Sequence, residues 1–322
     1  MELVRGIGGL PLGGGGTAVT VGFFDGVHRG HQAVFRRTVD VSRDRGLTPV
    51  AVTFDRHPRE VISPGTAPQL LTTLERKAGL IEATGIASLV VLEFDEAFSL
   101  WPAEEFIERV LAGGLDARHL VVGANFTFGF KALGTLRTLV ELGPAHGFGA
   151  EGVSLLTIEG RRVSSTSIRE ALAEGDLAWP ETALGRWYVV DGHVVRGAGR
   201  GADLGWPTAN LEIGPRMLMP KDGVYAGLAR LPADGSEYVA AINIGTNPTF
   251  GAEPLHLEAY LLDFEGDILG DPLSVEFRVR LRDEAAFDSP EALSEQIAKD
   301  VRRTRELVTR GTSRTSPAAP AP

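Results

Sequence analysis

Residues 20–31, Thr-Val-Gly-Phe-Phe-Asp-Gly-Val-His-Arg-Gly-His, constrain this chain more than any other stretch. A β-rich run over 18–24 halts at Asp25-Gly26. His28 and His31 follow three residues apart with Gly30 between them, and a polar, helix-like segment then begins. A strand, a glycine-marked turn and a helix N-terminus make an anion cradle. The first N–H groups of a helix lack internal partners, and its dipole is positive at that end. Two imidazoles at this spot could hold a phosphate oxygen and steady the charge that develops as a bond to phosphorus breaks.

The rest of the first half alternates short apolar runs with amphipathic stretches. Strands are expected at 50–54, 89–94, 120–123 and 153–158, with helices near 31–45, 72–84, 102–112 and 135–147. This βαβα pattern implies a Rossmann-like parallel sheet covered on both faces, with ligands at the C-terminal strand ends. Polar motifs fall at those ends. Thr53-Phe54-Asp55-Arg56-His57-Pro58 reads first as a proline turn with a capping Asp. In Gly123-Ala124-Asn125-Phe126-Thr127-Phe128-Gly129, Asn125 could bond phosphate or ribose, and Phe126 and Phe128 could stack on a flat ring. A turn Asn and core Phe residues fit those residues equally well. Arg161 precedes Ser164-Ser165-Thr166-Ser167-Ile168-Arg169. Capping explains the serines but not both flanking arginines, which with helix N–H groups suit a polyphosphate.

Near Trp179-Pro180 the alternation ends. Strands at about 187–195, 224–230, 238–245, 255–263 and 273–281 follow one another without helices, implying an antiparallel β-barrel. An amphipathic helix over 290–308 closes it. The expected domains are 1–184, 185–310 and a disordered tail, 311–322. Gly197-Ala198-Gly199-Arg200-Gly201 lies outside any βαβ unit, so it suits a flap over phosphates better than a dinucleotide fingerprint. In Trp206-Pro207-Thr208-Ala209-Asn210, Thr208 and Asn210 could offer oxygens to Mg²⁺ and a nucleotide phosphate; a proline turn entering a strand is the plainer alternative. Glu258, in His256-Leu257-Glu258-Ala259-Tyr260, shares a strand face with His256 and Tyr260 and could point into the barrel mouth as a base.

The charge balance, 32 basic against 42 acidic residues for a net −10, argues against nucleic acid or an anionic membrane as the main partner. There are no cysteines, which excludes disulfides and thiolate metal sites. With no signal-like N-terminus and no apolar run of about 18 to 20 residues, a soluble cytoplasmic protein is expected. A homo-oligomer is left open. The tetraglycine at 13–16 lacks the Gly-Lys-Ser/Thr of a phosphate loop and is given no function.

The string Gly-x-Phe-Asp-Gly-Val-His-x-Gly-His at 22–31 contains the His-x-Gly-His signature of nucleotidylyltransferases. With Phe-Asp-Arg-His-Pro, Val-Gly-Ala-Asn-Phe-Thr-Phe-Gly and Ser-Ser-Thr-Ser-Ile-Arg, it resembles the FAD synthetase half of bifunctional riboflavin kinase/FAD synthetases, motif by motif and in order. The Pro-Thr-Ala-Asn run at 207–210, with Asp222-Gly223-Val224-Tyr225-Ala226 and Asn243-Ile244-Gly245-Thr246-Asn247-Pro248-Thr249-Phe250, is similar to the riboflavin kinase half.

The resemblance covers about residues 17–309. It implies that ATP phosphorylates riboflavin to FMN in the barrel and that a second ATP adenylylates FMN to FAD in the N-terminal domain. By resemblance His28, His31, Asn125 and Arg161 serve adenylyl transfer. Gly22, Phe24, Asp25, Gly30, Ser164, Ser165, Thr166 and Arg169 line its nucleotide site. Gly199, Arg200, Thr208 and Asn210 serve the kinase nucleotide, the last two with Mg²⁺. Glu258 is the kinase base, and Phe126, Phe128, Asn247 and Arg282 lie near flavin. Departures are modest: Phe23 stands where Asn or a smaller residue is common, Arg56 where Pro is, and Ile268-Leu269-Gly270 replaces Leu-Tyr-Gly. One narrower alternative makes only the N-terminal half an enzyme and the barrel a flavin-binding or regulatory module. Another has the N-terminal half adenylylate or cytidylylate a different phosphate ester.

Overall fold

A computed structural model of the chain describes residues 1–7, 15–197, 201, 205–245 and 256–311. Gly199, Arg200 and Asn247 lie outside the described residues, as do 312–322 of the expected tail. The chain divides into two compact units, Met1–Ser165 and Thr166–Pro322.

In the first unit, β1 (Glu2–Arg5), β2 (Thr17–Val21), β3 (Thr48–Phe54), β4 (Ser88–Leu92), β5 (Ala117–Gly123) and β8 (Gly149–Val153) form one parallel sheet in the order β1-β4-β3-β2-β5-β8. Two short pairs sit outside it, β6 (Thr127–Phe128) with β7 (Gly134–Thr135), and β9 (Thr157–Ile158) with β10 (Arg161–Arg162). Successive strand residues face opposite sides. Val19, Val50, Val52, Val90 and Leu120 pack on α5 (Ala103–Phe106), which continues in π-type turns over Ile107–Gly114. On the other face Ala51, Leu89 and Val91 meet Phe35 of α1 (Arg29–Arg45) and Ile81 of α3 (Leu74–Glu82). At about 1.5–3 kcal/mol per buried aliphatic side chain, these two layers dominate the stabilising terms. Strand order reverses between β2 and β5, which makes their C-terminal ends a topological switch point.

The strand expected at 153–158 is displaced. Chain pairing with β5 runs instead through Gly149–Val153; beyond Val153 the run passes through a loop with Leu155 exposed, and its end, Thr157–Ile158, pairs with β10. The remaining helices of this unit are α2 (Pro58–Ile62), α4 (Glu96–Ser99) and α6 (Leu136–Leu142). The cap of α2 is His57, whose Nδ1 accepts from the Arg59 N–H at 3.1 Å, and not Asp55 as the sequence suggested. The Asp55 carboxylate instead accepts from the Phe94 N–H at 2.9 Å and pairs with Arg56.

The second unit contains most of α7 (Ser165–Glu174), α8 (Ala178–Leu184) and a closed antiparallel barrel. Its strands are β11 (Tyr188–Val195), β12 (Ala209–Ile213), β13 (Gly223–Arg230), β14 (Glu237–Gly245), β15 (His256–Leu261) and β16 (Pro272–Arg282), ordered β11-β12-β15-β14-β13-β16. Closure leaves no strand edge to aggregate. Tyr225, Ile242, Ile244, Leu257, Ala259, Val275 and Phe277 fill the core with essentially no exposure. At Gly227 a Cβ would come within 1.8 Å of the Glu276 carbonyl oxygen, so only glycine lets β13 and β16 approach this closely. Helix α9 (Pro290–Gly311) packs on β13, β14 and β16.

Candidate functional site

The histidine turn of the first unit is a strained structure. Phe24 (φ 54°) and Val27 (φ 43°) both take left-handed backbone angles, and Val27 is β-branched. Each such residue costs on the order of 1–3 kcal/mol and persists only where its surroundings impose it. Here the side chain of Asp25 does so. Buried at 3% exposure, its carboxylate accepts the N–H groups of Leu71 and Thr72 at 3.0–3.2 Å and the Thr72 hydroxyl at 3.3 Å. The Gly26 N–H returns a bond to Thr72 Oγ1. Phe24 and Val27 are themselves buried against the α1–α3 layer.

His28 caps α1, its Nδ1 accepting the His31 N–H at 3.3 Å, which puts the ring proton on Nε2. The two imidazoles stack with centroids 3.6 Å apart. Gly30 lies under the His28 ring, where a Cβ would sit 3.1 Å from it. A Cβ on Gly22 would likewise meet the Phe24 ring at 2.8 Å. His31 Nδ1 is buried without a hydrogen-bond partner. Burial first, then the neighbouring His28 and the ammonium of Lys77, push its pKa well below the usual imidazole value. The ring is therefore neutral at pH 7.

Ser165 Oγ donates to the Asp25 carbonyl at 2.9 Å, so the hydroxyl run and the histidine turn meet. Ser164 is half-buried beside it, and Arg161 lies on β10, three residues earlier. Asn125 is exposed on the turn that leaves β5, the strand adjacent to β2. Phe126 and Phe128 stack on each other with centroids 5.5 Å apart; Phe128 belongs to the core beside Phe106, and Phe126 is half-buried. Thr166 and Arg169 are on α7, in the second unit. Sequence reasoning missed Lys77. Nothing in Leu74-Glu75-Arg76-Lys77 marks it out, since helix lysines usually face water.

In the barrel unit, register builds the site. Glu258 on β15 pairs with Asn210 of β12 on one side and Asn243 of β14 on the other, so three polar side chains line up across three strands. Thr208 Oγ1 donates to Glu258 Oε2 at 3.3 Å, and His256 Nε2 stands 3.5 Å from Oε1. Alternation sends Leu257, Ala259 and Leu261 into the core and His256, Glu258 and Tyr260 to the opposite face. They line a cavity of about 650 Å³ that also takes in Trp206, Asn243, Arg282 and, from α9, Leu293, Ile297 and Asp300. The carboxylate thus sits on the strand face opposite Leu257 and Ala259, in a cavity that the terminal helix also lines.

Arg282, the last residue of β16, is held by Asp300 through Nε (3.0 Å) and Nη2 (2.7 Å), and Gln296 donates to the other Asp300 oxygen. Trp206 Nε1 donates to Ser294. Both contacts tie α9 to the cavity rim. Thr208 and Asn210 present hard neutral oxygens of the kind a magnesium ion takes alongside phosphate oxygens and water. Among the described residues no three His, Cys, Asp or Glu side chains gather into a protein-only metal cage. Asn243 opens a motif quoted above but was given no role there; pairing with Glu258 places it beside the carboxylate.

A parallel sheet with a histidine turn at its switch point, joined in sequence to a barrel with a carboxylate in a large cavity, fits a two-part transferase. Residues 14–167 match the FAD synthetase family and residues 184–308 the riboflavin kinase family. The bifunctional riboflavin kinase/FMN adenylyltransferase of Pseudomonas fluorescens is 39% identical over 95% of this chain and 98% of its own length. Those of Escherichia coli K12 and Bacillus subtilis are each 35% identical, covering 95% and 88% of this chain and 98% and 90% of theirs. A macrolide-efflux protein from Streptococcus pneumoniae has a crystal structure that matches with a TM-score of 0.82 at 30% identity, covering 95% of this chain and 99% of that one. Among the described residues no helix is long and apolar enough to cross a membrane. The chain belongs to the bifunctional riboflavin kinase/FMN adenylyltransferase family.

Proposed function

We propose that this chain converts riboflavin to FAD at two separate sites. In the barrel, the ribityl 5′-hydroxyl attacks the γ-phosphorus of ATP. Its proton passes to Glu258, the new O–P bond forms as the β–γ bridging bond breaks, and FMN and ADP result. Thr208 orients the carboxylate, and Asn210 and Asn243 flank it. Thr208 and Asn210 would hold Mg²⁺, which when bound neutralises phosphate charge. Arg282, pinned by Asp300, lies on the cavity wall and serves the flavin; by family resemblance alone, Asn247 is assigned to the flavin and Gly199 and Arg200 to the nucleotide.

In the N-terminal unit a phosphate oxygen of FMN attacks the α-phosphorus of a second ATP, the α–β bond breaks, and FAD and pyrophosphate leave. No protein nucleophile is required. The chain's residues position the two anions and stabilise charge: His28 and His31 at the phosphates, Ser164, Ser165, Thr166 and Arg169 along the polyphosphate, Asn125 and Arg161 at the reacting groups, Phe126 and Phe128 near the flavin. Asp25, Gly22, Phe24 and Gly30 serve through the turn they build. Functional domains of 1–184 and 185–310, a cytoplasmic location and the absence of nucleic-acid or membrane partners complete the reading, with homo-oligomerisation left open.

The observation that carries it is the Glu258 row, because a binding module has no need of a carboxylate between two amides and a hydroxyl. The test is chromatography of flavins after incubation with riboflavin, ATP and Mg²⁺, beside a parallel reaction with FMN. FMN and then FAD should form from riboflavin, and Glu258→Ala should abolish the first step while sparing the second. FAD from FMN with nothing from riboflavin reduces the barrel to a binding module. FMN without FAD removes the adenylyl-transfer reading.

A further inference from the structure

We propose that Lys77 contacts a substrate phosphate in the adenylyl-transfer site, its ammonium meeting an oxygen of ATP or FMN beside His31. The inference rests on the function proposed for the N-terminal unit and adds a residue to it. Lysine is rarely buried without a partner, yet Lys77 is 3% exposed. Among the described residues its ammonium makes no hydrogen bond or salt bridge; it lies 4.0 Å from the centroid of the Phe23 ring.

Asp25 attracts it electrostatically. That carboxylate, however, accepts hydrogen bonds from Leu71 and Thr72. Those same bonds anchor the chain just before α3, and so carry Lys77, one turn into that helix, to the histidine turn. There His31 Nδ1 is buried without a partner, and the Lys77 ammonium is close enough to act on that ring electrostatically. A tetrahedral anion offers several oxygens and would satisfy both, with lysine acting as a point charge.

The titratable groups around Lys77 are Asp25 on the turn, His31 with His28 stacked behind it on α1, and His57, which shares the Phe23 ring. Burial lowers the Lys77 pKa to about 8, against the pull of Asp25. A phosphate would raise it again. Binding near pH 8 should therefore take up about half a proton, since the free ammonium is then about half ionised.

The test compares wild type with Lys77→Met and Lys77→Arg in the full chain. ATP and FMN are titrated separately by calorimetry at pH 8 in buffers of unequal ionisation enthalpy, and KM is measured for each in FAD formation. Phosphorylation of riboflavin by the same samples controls for folding. For whichever ligand Lys77 meets, Lys77→Met should raise KM by about tenfold or more and erase the proton uptake, while Lys77→Arg restores most of the affinity. Unchanged KM for both ligands, or unchanged proton uptake, overturns the contact and leaves Lys77 as packing on Phe23. Failure of the wild type to make FAD from FMN overturns the reading of the whole unit, whatever Lys77→Met does.

Discussion

The two proposed sites, each assigned the task of holding phosphates near a reacting oxygen, are built by opposite means. The histidine turn relies on an unusual backbone, with two non-glycine residues left-handed and a buried carboxylate holding them there. The Glu258 site relies on ordinary extended strands, in which pairing alone aligns Asn210, Glu258 and Asn243. A strained turn fixes its donors rigidly but depends on a distant segment. A strand row tolerates side-chain change but depends on register, since a slip of one residue would turn Glu258 into the core.

Mutations can break this contrast. Replacing both His28 and His31 by Ala should lower FAD formation from FMN by about 10³-fold or more while riboflavin phosphorylation continues, measured on the same protein by flavin chromatography. Asp25→Ala should be nearly as damaging for a different reason. It strands the amides of Leu71 and Thr72 and releases the turn, at a cost of about 3 kcal/mol, read by faster hydrogen exchange at those amides with barrel exchange unchanged. Thr208→Val, in the relaxed site, should lower riboflavin phosphorylation only about 10- to 100-fold and leave the denaturation midpoint almost unmoved. Equal destabilisation by Asp25→Ala and Thr208→Val would end the distinction.

The smallest effect concerns pH. Burial lowers the folded pKa of His31, so the unfolded chain binds its proton more readily. The stability that comes from keeping His31 neutral is complete above the unfolded value of about 6.5 and is lost as pH falls through the folded value. Urea midpoints should therefore drop on acidification below about pH 6.5, and His31→Gln should flatten that slope in part. His119, whose pKa burial also lowers, supplies a similar contribution.

Both halves of the fold were legible because their signals were local: apolar runs with turn residues between them, then strands without helices. The misplaced strand shows the limit. Gly149-Ala150-Glu151-Gly152-Val153 has little intrinsic β preference, and its place at the sheet edge comes from pairing with β5. β12 was missed for a related reason, as its five residues follow a proline and a loop and gain their place from β11 and β15. The motif residues around the two sites could be named from sequence. Lys77 could not, because it acquires its position through Asp25, about 50 places away in the chain, rather than through its own neighbours; Asn243, although it opens a quoted motif, gained a role only from its pairing with Glu258.

The hydrogen bonds from Leu71 and Thr72 to Asp25 also bear on how the chain acquires its form during synthesis. The partners are 46 and 47 residues apart, so a nascent chain that has exposed only the histidine string has nothing to hold Phe24 and Val27 in their left-handed angles. The anion cradle comes into being only when residues 71 and 72 have left the ribosome. A peptide cut to the motif alone would be a linear string of the right letters without the site.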